Sequence, residues 1–253
     1  MADQPAAIIP AATVVVMRDR PNGAPELLML ERSAAMSFAG GALVFPGGRV
    51  DPGDRALAEV GGADDPEDAA ARIAAVREAI EEAGIALALD PMPDAAALVK
   101  VRAALHEGMP FGEALDRAGS GLALDRLVPF ARWLPLGLPH RIFDTRFYLA
   151  RAPEGATPSV DATENSRLFW ATARDVLDEA DAGRATIIFP TRRNLERLAL
   201  FGSFDDAVAD ARAHPVRTIT PHVEMRDGAE HLCIPDDLGY PVTAERLTRV
   251  RRT

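Results

Sequence analysis

The stretch Val76-Arg77-Glu78-Ala79-Ile80-Glu81-Glu82-Ala83-Gly84-Ile85, VREAIEEAGI, places three carboxylates within five residues of one predicted helix. On a wheel of about 100° per residue, Glu78, Glu81 and Glu82 share one narrow face, and Ile73, Val76, Ile80 and Ala83 gather about the opposite pole. Ala71, Ala74 and Ala75 line the acid face as well, and such small side chains are expected to leave the carboxylates open to approach. Like charges three and four residues apart destabilise a helix by roughly 0.2–0.5 kcal/mol per pair. The cluster is therefore either the solvated face of an amphipathic helix or a set of oxygen donors for a divalent cation, whose charge turns repulsion into coordination.

Working outward, Asp64 or Asp65 ahead of Pro66 and Glu67 marks the helix start, with a capping acid, proline at the first position and acids in the first turn. The helix is predicted to run to about Ala83 and to stop at Gly84. Upstream, Thr13 to Met17 and Glu26 to Arg32 read as strands on either side of a Pro-Asn-Gly turn, and a third run, Ala42 to Phe45, ends at Pro46-Gly47-Gly48. Residues 94–126 read as two or three short helices; Arg146 to Ala150 and Leu168 to Ala171 read as strands joined by the polar loop ARAPEGATPSVDATENS. From Ala173 to Ala213 the pattern is helical with breaks at Phe189-Pro190 and Gly202, and Val216 to Ile234 suits a hairpin about Asp227-Gly228. Strands alternating with helices, without internal repeats, predict an α/β (α+β) fold with helices packed on a mixed sheet.

Composition narrows the function. The 253 residues carry a formal charge of −10, which argues against nucleic acid as the partner, since phosphate backbones are bound by clustered Lys and Arg. Lys100 is the only lysine and lies outside any glycine-rich loop, so phosphate-loop nucleotide chemistry is excluded. The single Cys233 cannot form an internal disulfide, and none of the five histidines has metal-finger spacing, so a reducing, cytoplasmic setting is expected. The apolar opening AAIIPAATVVVM follows Asp3, contains Pro10 and runs into Arg18-Asp19-Arg20; it reads as a lead-in and first strand, not as a signal segment. No apolar run reaches the roughly 18 residues of a membrane helix.

The acid helix and the preceding turn, Gly40-Gly41-Ala42-Leu43-Val44-Phe45-Pro46-Gly47-Gly48-Arg49-Val50-Asp51-Pro52-Gly53-Asp54, resemble the box of the Nudix hydrolases, G-x5-E-x7-R-E-U-x-E-E-x-G-U with U apolar. Arg77 to Ile85 match its second half at each position, with Ala79 a small apolar residue. The first half departs twice: Asp54 stands where the family has Glu, and 22 residues separate Asp54 from Arg77, a 15-residue insertion expected to bulge out as a loop around 55–65. The resemblance implies one Nudix domain over 1–253. Its core is about 11–180, with a helical insertion at about 94–126 and a C-terminal helical extension at about 181–253. It implies Mg²⁺ or Mn²⁺ held by Glu78, Glu81, Glu82 and the Gly47 carbonyl, with Arg77 orienting the carboxylates and Asp54 as its candidate partner. The general base it implies is Glu81 or the loop acid Glu164. The substrate it implies is a nucleoside diphosphate derivative, and a homodimer is allowed.

Within that family, Leu28-Met29-Leu30-Glu31-Arg32-Ser33 through Asp51 resembles the coenzyme A diphosphatase signature L-L-T-x-R-S-x3-R-x3-G-x3-F-P-G-G-x-x-D, with spacing kept from Arg32 to Asp51. Met29, Leu30 and Ser37 depart from it, the last replacing an arginine suited to phosphate. The segment Pro139 to Tyr148 is similar to the same branch. Arg32, Gly48, Arg141 and Arg146 are the expected substrate contacts, each arginine being equally suited to a structural ion pair; Trp133, Phe143 and Tyr148 could stack on an adenine or lie in the core. Coenzyme A or acyl-coenzyme A is the first substrate expected, ADP-ribose or NADH the alternative. A non-catalytic nucleotide-binding regulator is the rival class, and retention of all three box glutamates speaks against it.

Overall fold

The computed structural model describes residues 7–36, 39–136, 142–160 and 164–250. In chain order the first half holds strands β1 (Ile8–Arg18), β2 (Glu26–Arg32), β3 (Leu43–Val44) and β4 (Gly47–Arg49), helices α1 (Pro52–Val60) and α2 (Pro66–Ala83), strand β5 (Leu89–Asp90), helices α3 (Ala95–His106) and α4 (Phe111–Ala118), and strand β6 (Gly121–Leu122). The second half holds β7 (Val128–Trp133), β8 (Ile142–Arg151), β9 (Asn165–Thr172), α5 (Ala173–Asp181), α6 (Phe189–Leu198), α7 (Phe204–Ala213), β10 (Thr218–Ile219) and the hairpin β11 (His222–Arg226) and β12 (Ala229–Cys233). Among the described residues, no helix is long and apolar enough to cross a membrane.

β1 is the spine of a mixed sheet. It runs parallel to β8 from Ile8↔Ile142 to Met17↔Arg151, which draws the strand well beyond the β-branched run Thr13–Val16 that announces it in sequence. Its other edge is shared: Met17 and Arg18 pair with β2, whereas Ala11 to Thr13 pair with β4. The sheet forks there, and the fork opens the site described below. β7 and β9 extend the sheet antiparallel to β8 and β2.

Alternation along the strands assigns two cores. Val14, Val16, Leu28, Tyr148 and Ala150 face α2, α3 and α4, while Val15, Met17, Leu27, Met29 and Leu149 face α5, α6 and α7. Helices thus cover both faces, as the predicted α/β class requires. Each such valine, leucine or methionine buried contributes about 1.5–3 kcal/mol.

α2 begins and ends where its signals place it. The Asp65 side chain accepts from the Asp68 N–H at 3.0 Å, and Gly84, at φ 62°, lets Gly84 N and Ile85 N close on the Ile80 and Ala79 carbonyls. Two expectations fail. Ala71, Ala74 and Ala75 leave no open approach, being 0–2 % exposed, because α1 and the sheet enclose the helix. The insertion is also no plain loop: Asp51 and Asp54 form a capping box with Pro52 at the first turn, and α1 forms. The helical pattern is interrupted ahead of Phe189-Pro190 as expected: α5 ends at Asp181 and α6 starts at Phe189, where proline suits the first turn.

Asp68 ties α2 to β8. It accepts from Arg72 Nε at 2.5 Å, from Tyr148 OH at 2.8 Å and from Arg146 Nη1 at 3.1 Å. Burial pushes its carboxyl up, but the bonds from Arg72 and Tyr148 and the charges of Arg72 and Arg146 outweigh this and hold it below the usual range. A depressed carboxyl stabilises the fold above its unfolded pKa and ceases to as pH falls through the folded value. Asp68→Asn should therefore lower stability in urea by about 1.5–3 kcal/mol at pH 7, with the gap from the wild type shrinking below roughly pH 4. An equal gap at pH 7 and pH 3 would remove the ionic account.

Candidate active site

The centre of the site is the Arg77 guanidinium. Nε and Nη2 grip Asp54 at 3.1 and 2.9 Å, Nη2 also donates to the Arg49 carbonyl at 2.9 Å, and Nη1 donates to Glu78 Oε1 at 2.8 Å and to Glu81 Oε2 at 2.9 Å. One planar fork thus joins α1, the end of β4 and the acid face of α2. The pairing with Asp54 holds although 22 residues lie between, because α1 packs along α2 and buries Asp54 against it. These acids drive the Arg77 pKa upward against the opposing effect of burial.

Glu82 is held differently. Its Oε2 accepts the Gly47 N–H at 2.9 Å and its Oε1 accepts Asn165 Nδ2 at 3.1 Å. Burial, with the Glu164 charge adding to it, pushes the Glu82 carboxyl up to about 7 in spite of the Gly47, Asn165 and Arg32 groups that favour its charged form. Glu78 is pushed up to about 8, first by burial, then by Glu82 and Glu81 acting against Arg77. Two carboxylates out of water beside a third make a place with a standing deficit of positive charge.

The Gly47-Gly48 turn abuts these acids. A Cβ on Gly48 would fall inside the Glu78 carboxylate, and one on Gly47 would collide with the Ala12 carbonyl and come 2.7 Å from the Thr13 Cα. Glycine is needed at each position, for different reasons: the first glycine packs on β1, the second leaves room for Glu78.

A cavity of about 640 Å³ lies over the turn, within the usual range for small-molecule sites. Gly47, Gly48, Glu78, Glu81, Glu82, Arg77, Glu164 and Arg32 line it, so the structure brings together most of the residues singled out in sequence. Arg32 Nε, buried, has no acceptor among the described residues. Arg146 is not among this group: it lines a separate small cleft and pairs with Asp68, because strand alternation sends it to the opposite side from Thr145 and Phe143, which line the cavity. Tyr148 likewise turns into the α2 core and bonds Asp68, so it is not positioned to stack on a ligand. Arg141 lies outside the described residues.

Three contributors were not singled out in sequence. Arg49, next to the turn, lines the cavity with its guanidinium carbon 6.0 Å from the Phe143 ring centre. Asn165 stands beside Glu164, the acid that drew attention. Ile188, Pro190 and Thr191 at the start of α6 close the far wall, joined to the turn region where Leu43 N donates to the Thr186 carbonyl at 2.8 Å. No local signal ties that segment to the site; only the fold carries it there. Among the described residues no three acid, histidine or cysteine side chains converge as a formed cation site, since Glu78 and Glu81 each turn an oxygen to Arg77 and Glu82 turns both to Gly47 and Asn165.

No family model matches the chain. "Putative nudix hydrolase 7" of Caenorhabditis elegans is 27% identical over 217 residues, covering 85% of this chain and 69% of that protein. A crystal structure of a NUDIX hydrolase from Alicyclobacillus acidocaldarius superposes with a TM-score of 0.71 at 29% identity, over 81% of this chain and 96% of that one. In sequence and in fold the chain is thus similar to Nudix hydrolases.

The two glycines separate under mutation. Gly48→Ala should displace only the flexible end of Glu78, lowering activity by about 10- to 100-fold with little change in melting temperature. Gly47→Ala meets backbone and should cost about 1–3 kcal/mol of stability. Calorimetry and turnover measured on both variants check this, and equal melting temperatures would contradict it.

Proposed function

We propose that the chain hydrolyses the diphosphate bond of a nucleoside diphosphate derivative, using Mg²⁺ or Mn²⁺ held by Glu78, Glu81, Glu82 and the Gly47 carbonyl. The observation that carries this reading is the meeting, in one cavity, of three box glutamates, the glycine turn and two arginines, Arg32 and Arg49. The donors fit such an ion: carboxylate oxygens are its natural ligands, Gly48 leaves Glu78 the space to lie against the turn, and a cation offsets the burial that raises Glu78 and Glu82. Bound there, the ion supplies neutralisation of phosphate oxygens and an acidified water.

The chain's own groups do the rest. Arg77 fixes Glu78 and Glu81 relative to each other and to Asp54. Glu81, the most exposed of the three glutamates, and Glu164 are the groups in the cavity we assign as candidates to take a proton from water. Arg32 and Arg49 are placed to receive phosphate oxygens, and Met36, Phe45, Trp133, Phe143 and Ile188 offer apolar wall to the remainder of the substrate. Coenzyme A or acyl-coenzyme A is the substrate we favour, supported by the Arg32-to-Asp51 spacing and by Arg49, a second cavity cation where the signature's inner arginine is Ser37.

Three measurements test this reading. Incubation of coenzyme A with the protein and Mg²⁺ should release 3′,5′-ADP and phosphopantetheine by mass spectrometry; their absence, with ADP-ribose or NADH cleaved in the same panel, would reassign the substrate. Glu81→Gln and Glu82→Gln should each lower turnover by roughly 10²–10⁴-fold while keeping the fold, and near wild-type rates in both would remove the metal assignment. Mn²⁺ at a hundredfold excess over its dissociation constant should add about 2.7 kcal/mol to wild-type stability.

A further inference from the structure

Asn165 opens β9 opposite Arg32 of β2, at the point where a bulge between Glu31 and Arg32 shifts the register. Its side chain is enclosed, the residue being 1% exposed. Nδ2 donates to Glu82 Oε1 at 3.1 Å while the Gly47 N–H donates to Glu82 Oε2 at 2.9 Å, so each oxygen is held from a different strand, β9 and β4. Asn165 Oδ1 has no partner among the described residues.

Burying an amide with part of its hydrogen-bonding capacity unused costs about 1–3 kcal/mol, and an apolar side chain would fill the same space without that cost. Packing therefore does not account for an asparagine here; the bond to Glu82 does. The choice of group is also specific. An arginine would neutralise Glu82 and compete with a cation, and an aspartate would repel it, whereas a neutral amide orients the carboxylate and leaves its charge in place.

We propose that Asn165 is a positioning residue that fixes the Glu82 carboxylate for divalent-cation binding. The inference rests on the reading of Glu82 as a metal ligand. It assigns a role to the residue after Glu164 that is independent of which acid serves as base.

Mn²⁺ titrated into the whole chain without substrate, with free ion read by electron paramagnetic resonance, tests it. Asn165→Ala and Asn165→Ser should bind Mn²⁺ about 10- to 100-fold more weakly than the wild type. Their metal-free melting temperatures should stay within a few degrees of it, and KM at saturating metal should be unchanged. Wild-type Mn²⁺ affinity in both variants overturns the Asn165 role alone, whereas a wild type that binds no Mn²⁺ overturns the metal reading beneath it. Loss of the fold in both variants also overturns the proposal, because Asn165 would then hold β9 rather than the carboxylate.

Discussion

The two-sided fork of Arg77 is the contact on which the rest of the site depends. A guanidinium has five N–H donors in one plane, and here they reach Asp54, the Arg49 carbonyl, Glu78 and Glu81. Three acids placed on one helix face repel one another, and with little water around them that repulsion is only weakly screened. Arg77 supplies the compensating charge from within the same helix, and Asp54 in turn fixes the plane of Arg77. Removing one partner of such a buried set leaves uncompensated charge, which costs far more than the set contributes when intact.

Charge around the fork remains out of balance. Arg77 is spread over four carboxylates, those of Asp51, Asp54, Glu78 and Glu81, Glu82 leans on neutral hydrogen-bond donors, and Glu78 and Glu82 stay raised. A helix under selection for stability alone would carry fewer acids at these positions. The same imbalance that weakens the helix is what the proposed cation would offset, and through that cation the proposed anionic substrate would be met on a chain of net charge −10.

The site also depends on the forked sheet. Because β1 pairs with β2 at one end and β4 at the other, the Gly47-Gly48 turn is lifted beside α2, and α6 of the opposite helical layer can reach the same cavity. The C-terminal segment, which carries no motif, is thus the far wall of the pocket. Its buried arginines serve its own packing: Arg193 pairs with Glu196 and Glu245, and Arg197 with Asp210.

By itself, the sequence determined the acid helix from Pro66 to Gly84, the strand Glu26–Arg32, the glycine turn and the hairpin at Asp227-Gly228, because caps, periodicity and turn residues act over a few neighbours. It also determined that Glu78, Glu81 and Glu82 share a face, since helical pitch requires it. Only the tertiary structure decided that the inserted segment is a helix delivering Asp54 to Arg77, and that Arg146 serves Asp68 while Thr145 reaches the cavity. It likewise decided that Asn165 meets Glu82 across 83 positions. Those outcomes depend on strand register and on which layer a helix joins, where a shift of one residue sends a side chain to the opposite face.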